Sequence, residues 1–443
     1  MMISSLVVDI RAPLGFRMER DCDFYTDSVA LCYTQFMAWQ PLSETDVGLD
    51  RNFWHIILTT GIAGVGDQIA LFARIWAALT FGRHGFFVAP TVLAYSLPMV
   101  LFMLVGGAVG GRHPLRALIL AGLSLAVVTV TLGGILPLTP GVLIAASFVS
   151  GVLDSVRSPT GQSLIALAVT PNHLYEANRI RQARFQVTRL LGPVAAGALI
   201  AVLGVRHTFL AATLLYVMGS LGLLGAKLAQ PMIPGRGVDW GAIGRGWRLI
   251  RGRSEMFWMM IFYGFSNFAW LGPLQVGVPR LVRLIFHSGP TMLGVVNGAF
   301  GLGLLLGTLL AGRLGRDVRA IRYMFLFTAA SDLVLGAAGF QTNSWGLAVA
   351  FFASGLLFAP VGPLFSTYVQ SRTPPDTMTS VLSFTSLTLQ GVQPVSVLAS
   401  GLFSAFDPRV LFLAAGSIAT VADLVGFSWV NKLMGRNTVG GTK

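Results

Sequence analysis

Cysteine is almost missing from this 443-residue chain, with only Cys22 and Cys32 and no Cys/His spacing of a metal-binding kind. That argues against a disulfide framework and a thiolate metal centre, and leaves two free thiols as the plain reading. Charged residues are scarce as well, at 11% of the chain. Short alternating apolar segments of the kind that build a membrane barrel are absent, so an outer-membrane β-barrel is disfavoured. No glycine-rich loop ending in Lys-Ser/Thr occurs, which removes the usual signature of ATP drive. All six histidines fall at predicted helix ends or in loops. No nucleophile and base occur at compatible depth, so an intramembrane enzyme is disfavoured and no cofactor or metal is expected. The opening run "MMISSLVVDIRAPLGF" is too short and too early in acid, at Asp9, for a secretory signal.

What the chain has is apolar surface: 54% hydrophobic residues and a mean hydropathy of +0.71. A soluble domain of this length could not hide so much, and lipid is the expected solvent. A span needs about 20 mainly apolar residues, and the stretch after Arg51 has room for about twelve. They are predicted at 53–80, 86–110, 115–136, 141–162, 180–203 and 208–229, and again at 256–280, 291–313, 320–340, 344–368, 379–404 and 409–433. The expected fold class is an all-α polytopic membrane protein of twelve transmembrane helices in two six-helix pseudo-repeats.

Four regions follow: an acidic cytoplasmic extension over 1–50, a six-helix bundle over 51–229, a polar Gly/Pro/Arg linker over 230–255, and a second bundle with a short tail over 256–443. The extension is net −5, which leaves the membrane body at +18 out of a formal +13. Those arginines crowd the even-numbered loops, from Arg112 and Arg116 through Arg179 to Arg248, Arg319 and Arg372, whereas the odd loops hold Arg83, Arg206, Arg280, Arg283 and Arg409. Such a bias orients a membrane protein with both termini in the cytoplasm and makes nucleic-acid binding a poor reading of the charge. A repeat is visible: Gly151 and Gly355, Pro159 and Pro363, Pro171 and Pro375, and Gly197 and Gly401 all lie 204 residues apart. Parallel six-helix repeats are an organisation of secondary transporters.

Proton coupling requires a side chain that changes charge inside the membrane, and only Asp67, Asp154, Asp332 and Asp423 fall within predicted spans. Asp67 lies near mid-depth of the first helix, with Arg74 on the same face and Arg189 at similar depth on the fifth, so Asp67 with Arg189 is the expected coupling pair. A structural ion pair is an equally weighted alternative. Asp154 and Arg157, spaced i, i+3, are placed at the cytoplasmic end of the fourth helix as a conformational latch with Arg112 and Arg116. Asp332 and Asp423 either pair inward or indicate misdrawn spans. The glycines Gly294, Gly298, Gly303 and Gly307 suit close helix contact. Tyr95, Asn267, Trp270, Asn297, Gln390 and Gln393 are candidate cavity-lining residues.

Four segments carry a family resemblance over about 380 residues: "GVGDQIA" with Gly66 and Asp67; "GGAVGGRHPLR" with Gly107, Arg112 and Arg116; "GVLDSVRSP" through "TPNHLYEANRIRQARFQVTRLLGPVAAG"; and "RTPPDTMTSVLSF". Together they resemble the major facilitator superfamily, and within it the drug:proton antiporter branch that includes macrolide and enterobactin exporters. Gly111 and Pro114 depart from the loop signature G-x-x-x-D-R-x-G-R-R. The run Gly192, Pro193 to Gly197 is similar to the helix 5 antiporter motif. The resemblance implies a monomeric transporter of the bacterial inner membrane that exports a lipophilic or amphiphilic small molecule against protons. A siderophore exporter, a lysophospholipid flippase and a non-transporting membrane scaffold with the same fold are its alternatives.

Overall fold

The computed structural model describes residues 49–82, 85–110, 113–169, 174–227, 240–311, 321–373, 378–403 and 406–439. The acidic extension up to residue 48, Arg112 and the first part of the linker lie outside the described residues.

In lipid the backbone must satisfy its own hydrogen bonds, and uninterrupted helices do so one segment at a time. The first half is built from α1 (Arg51–Ala78), α2 (Val88–Gly110), α3 (Pro114–Val130, continued by a π turn to Ile135), α4 (Pro140–Leu167) and α5 (Leu174–Gly222). The last is two spans in one, broken at Gly204, whose φ of 78° is open to glycine and closed to most other residues. The arm before Gly204 runs parallel to α1, with Thr188 beside Gly64 and Gly192 beside Gln68; the arm after it runs back, with Tyr216 beside Gly66 and Gly222 beside Thr59.

A short helix α6 (Trp240–Gly252) occupies the linker. Its glycines hide it from a propensity reading, but Ile243, Trp247 and Ile250 recur at helical spacing, and Ile250 is buried in the core of the second half. That half comprises α7 (Ser254–Gly272, carried on by turns through Ile285), α8 (Pro290–Ala311), α9 (Ile321–Ala337), α10 (Ser344–Phe358), α11 (Val361–Ser371), α12 (Met378–Leu402) and α13 (Pro408–Val439). The predicted helix 344–368 is thus two, separated at Ala359 and Pro360, where proline removes a backbone donor. Counting α10 with α11 as one span and α5 as two gives twelve membrane crossings, six on either side of α6.

The 204-residue repeat is structural. Thr139 caps α4 by accepting the Val142 N–H at 3.4 Å, and 204 residues later Asn343 caps α10 by accepting the Gly346 N–H at 2.8 Å. Gly151 lets α4 lie against the Tyr95 carbonyl of α2, and Gly355 lets α10 lie against the Phe300 carbonyl of α8. The α2·α4 packing therefore has its image in α8·α10, α3·α5 in α9·α13, and α2·α12 in α5·α8. Gly355→Ala is expected to destabilise by about 1–3 kcal/mol through overpacking, whereas Gly391→Ala, on an open stretch of α12, should stabilise by up to about 1 kcal/mol through helix propensity. Thermal unfolding of the two purified variants checks both signs.

Candidate functional site

The side of the molecule holding α6 is called the linker face and the side holding Gly204 the far face. Among the described residues, the two halves meet from mid-depth to the far face. There Gly294 and Gly298 of α8 rest on Pro193 and Val194 of α5, and Gly301 rests on Leu190. Gly303 and Gly307 turn the other way, onto Phe352, Leu356 and Ala359. The expected glycine stripe is therefore two contacts, one between halves and one within a half. Gly197 of α5 meets Pro290 and Thr291 of α8, and its repeat mate Gly401 of α12 meets Ala89 of α2. The run Gly192, Pro193 to Gly197 thus lies along both α1 and α8. The far-face end of α7 adds a further bridge: the Arg283 guanidinium lies 5.0 Å from the Trp76 ring and donates to the Trp76 carbonyl at 3.5 Å, at the carboxyl end of α1. Arg280, buried beside it, donates to the Phe406 carbonyl at 3.3 Å. Sequence reading left these two in a loop; an arginine pair inside "VPRLVRLI", on the arginine-poor side of the membrane, was the available signal.

Inside the first half, four helices converge on one polar network. Asp67 of α1 accepts from Arg157 of α4 through Oδ2, in an ion pair, while its Oδ1 is buried with no hydrogen-bond partner. Arg157 also donates from Nε to Asp154 Oδ1 at 3.1 Å, and the Tyr95 hydroxyl donates to Asp154 Oδ2 at 2.9 Å. Arg74 of α1 lies 5.1 Å from the Tyr95 ring, and Arg157 lies 5.6 Å from the Tyr216 ring of α5. One guanidinium thus serves two carboxylates.

Several sequence expectations are corrected by this arrangement. Asp67 takes Arg157, not Arg189, because α4 runs on to Leu167 rather than stopping near 162, which moves Asp154 and Arg157 inward by more than a turn. For the same reason the pair does not sit at the membrane edge beside Arg116, which is exposed in the first turn of α3. Tyr95 belongs to the ion network and is not on the wall of the cavity described next. Trp270 is packed in the core, 6.1 Å from the Phe412 ring, and Asn267 donates to the Tyr263 carbonyl at 2.8 Å. Gln390 and Gln393 are half-buried on α12, away from the cavity described next. Asp332 and Asp423 do turn inward, and both are buried. Side chains lean toward the amino end of their own helix, so on antiparallel α9 and α13 the two carboxyls converge, and the Ser266 hydroxyl donates to Asp332 Oδ2 at 3.2 Å.

Beside the network lies a cavity of 290 Å³ whose walls come from both halves: Gln68, Phe72 and Ile75 of α1, Gln186, Arg189 and Pro193 of α5, Gln275 beyond α7, and Asn297 and Phe300 of α8 among them. Asn297 is thus the cavity-lining expectation that the structure places on the wall. Arg189 extends into the cavity and is exposed there.

The family model of the Major Facilitator Superfamily matches residues 56–395. The chain belongs to that superfamily. Two uncharacterized transporters of this type from Bacillus subtilis are similar to it: YfmI, 24% identical over 61% of this chain and 68% of its own, and YvqJ, 24% identical over 71% and 76%. Among solved structures, a POT family transporter in complex with 5-aminolevulinic acid superposes with a TM-score of 0.69 at 11% identity, covering 86% of this chain and 96% of that one. A bacterial homologue of the iron transporter ferroportin, in an inward-facing state, does so with a TM-score of 0.66 at 18% identity, covering 86% and 100%. At such identities the likeness is one of fold. This major facilitator is a multi-pass membrane transporter, and its cavity lies where the two halves of that fold meet.

Proposed function

We propose that this transporter exports a lipophilic or amphiphilic small molecule across the bacterial inner membrane in exchange for protons, as a monomer with the linker face in the cytoplasm. The observation that carries the proposal is Asp67: a carboxylate at mid-depth, with one oxygen on a shared guanidinium and the other buried without a partner, one residue from a cavity-lining side chain. Asp67, Asp154 and Arg157 together hold one more negative than positive charge, which Arg184, facing Asp67, and Arg74, beyond the Tyr95 ring, offset. A proton arriving at Oδ1 neutralises Asp67 and weakens its hold on Arg157, which Asp154 retains. That loosens α1 from α4, and α1 is the helix that carries both the cavity wall and the Trp76 bridge to the other half. Protonation thereby favours one access state over the other by differential interaction, which is what coupling requires. The inter-half contacts at the far face support a conformation open toward the linker face, and the arginine-rich linker-face loops support its placement in the cytoplasm.

The test is transport in proteoliposomes with an imposed pH gradient and a panel of lipophilic cations, siderophores and lysolipids. Substrate-dependent proton movement in the exchanging direction is expected for at least one class. Its absence across the panel overturns the antiporter reading.

A further inference from the structure

Among the described residues, Arg189 is the sole ionisable side chain on the cavity wall, and no carboxylate among them serves it. Asp67 is held by Arg157, and Asp154 by Arg157 and Tyr95. The same cavity wall carries the amides of Gln68, Gln186 and Gln275, each half-buried and able to donate, with Phe72 and Phe300 supplying apolar wall. An arginine at membrane depth without a counter-charge is costly, and it persists where a ligand completes it. Its planar fork matches the two oxygens of a carboxylate or phosphate, and the neighbouring amides extend the same donor surface. The cavity also repels what a cation-exporting pump must attract.

Resting on the reading of this cavity as the transport site, we infer that the cargo is an amphiphilic anion whose carboxylate or phosphate head is bound by Arg189 and the surrounding glutamines, with its apolar body on the phenylalanine walls. Head and proton then use different groups: the anion occupies Arg189 on α5, and the proton occupies Asp67 on the other side of Gln68. Cargo can therefore bind before the proton leaves, without competition for one side chain.

Binding is measured by tryptophan fluorescence on the full chain in phosphatidylcholine nanodiscs, with decanoate, decyl phosphate and decyltrimethylammonium as probes of equal chain length. The wild type is expected to bind at least one of the two anions about ten- to hundred-fold more tightly than the cation, the range of a charge-assisted pair. Preference for decyl phosphate marks a phosphate head, and preference for decanoate a carboxylate head. Arg189→Gln is expected to lose that preference with a melting temperature no lower than that of the wild type, and Arg189→Lys to keep part of it as a point charge. Should Arg189→Gln fail to fold, the wild-type ranking and Arg189→Lys decide alone. Equal or tighter binding of the cation by the wild type, or an anion preference that survives in Arg189→Gln, overturns the inference. Anion binding through Arg189 without proton movement would sink the antiporter reading and leave this one standing; proton movement driven only by cations would do the reverse.

Discussion

Asp67→Asn is expected to remove pH-driven accumulation while sparing the fold and downhill movement of cargo. Each pH unit across the membrane is worth 1.36 kcal/mol per proton, so one coupled proton sustains about a ten-fold cargo gradient per unit, and the variant should sustain none. Asparagine suits the question because it keeps the size of the side chain and an oxygen that can still accept from Arg157, yet it cannot take up and release a proton. The groups facing this position, Arg157, Asp154, Tyr216 and Arg184, are all untouched by the change. Accumulation and a pH-sensitive dye, followed in the same proteoliposomes, give the readout. Wild-type accumulation should also vary with pH, and that of the variant should not. Proton movement by Asp67→Asn at the wild-type rate would show that Asp67 is structural and would move the coupling elsewhere.

Much of the architecture was legible because a membrane helix is a local solution. Each must be long enough, apolar enough and internally bonded, and all three requirements can be read along the chain. The six-plus-six division follows from those requirements, the repeat near 204 residues shows as self-similarity, and the inward placement of Asp332 and Asp423 was one of two readings the sequence left open. The candidate site was legible as a list of residues but not as a set of partners. Depth along a helix can be counted, but the azimuth of a side chain depends on packing. Arg189 was expected for Asp67 and Arg157 was assigned to a latch near the membrane edge, and an error of five residues at the end of α4 was enough to separate Arg157 from its partner. Trp270 shows the same limit from the other side. An aromatic near mid-depth suits a cavity wall and a core equally well, and the contact with Phe412, which decides between them, comes from a helix more than a hundred residues away. Arg283 was overlooked because the loop it was assigned to is, in the structure, helix continued through π turns.

Removing Arg157 should have the largest effect on stability. Its guanidinium holds Asp67 and Asp154 together, and Arg157→Met leaves two carboxylates facing each other among buried side chains with no shared cation. Breaking a fully buried ion pair from one side costs about 3–5 kcal/mol. With the Arg157 and Asp67 side chains 15% and 24% exposed, the lower end of that range is expected, still a sizeable fraction of the roughly 5–15 kcal/mol typical of whole folded domains, so reduced yield and a lower melting temperature follow. Methionine supplies a similar unbranched stem, which makes lost packing a poor explanation of the defect. Two further variants identify charge as the cause. Arg157→Lys should be intermediate, because an ammonium cannot fork between two carboxylates as a guanidinium does. Adding Asp67→Asn and Asp154→Asn to Arg157→Met should recover part of the stability, since the two facing carboxylates are gone while Arg74 and Arg184 remain charged, and it should do so without recovering transport. If the triple variant is no more stable than Arg157→Met, the network holds the helices through shape and not through charge, and the proton switch built on it loses its physical basis.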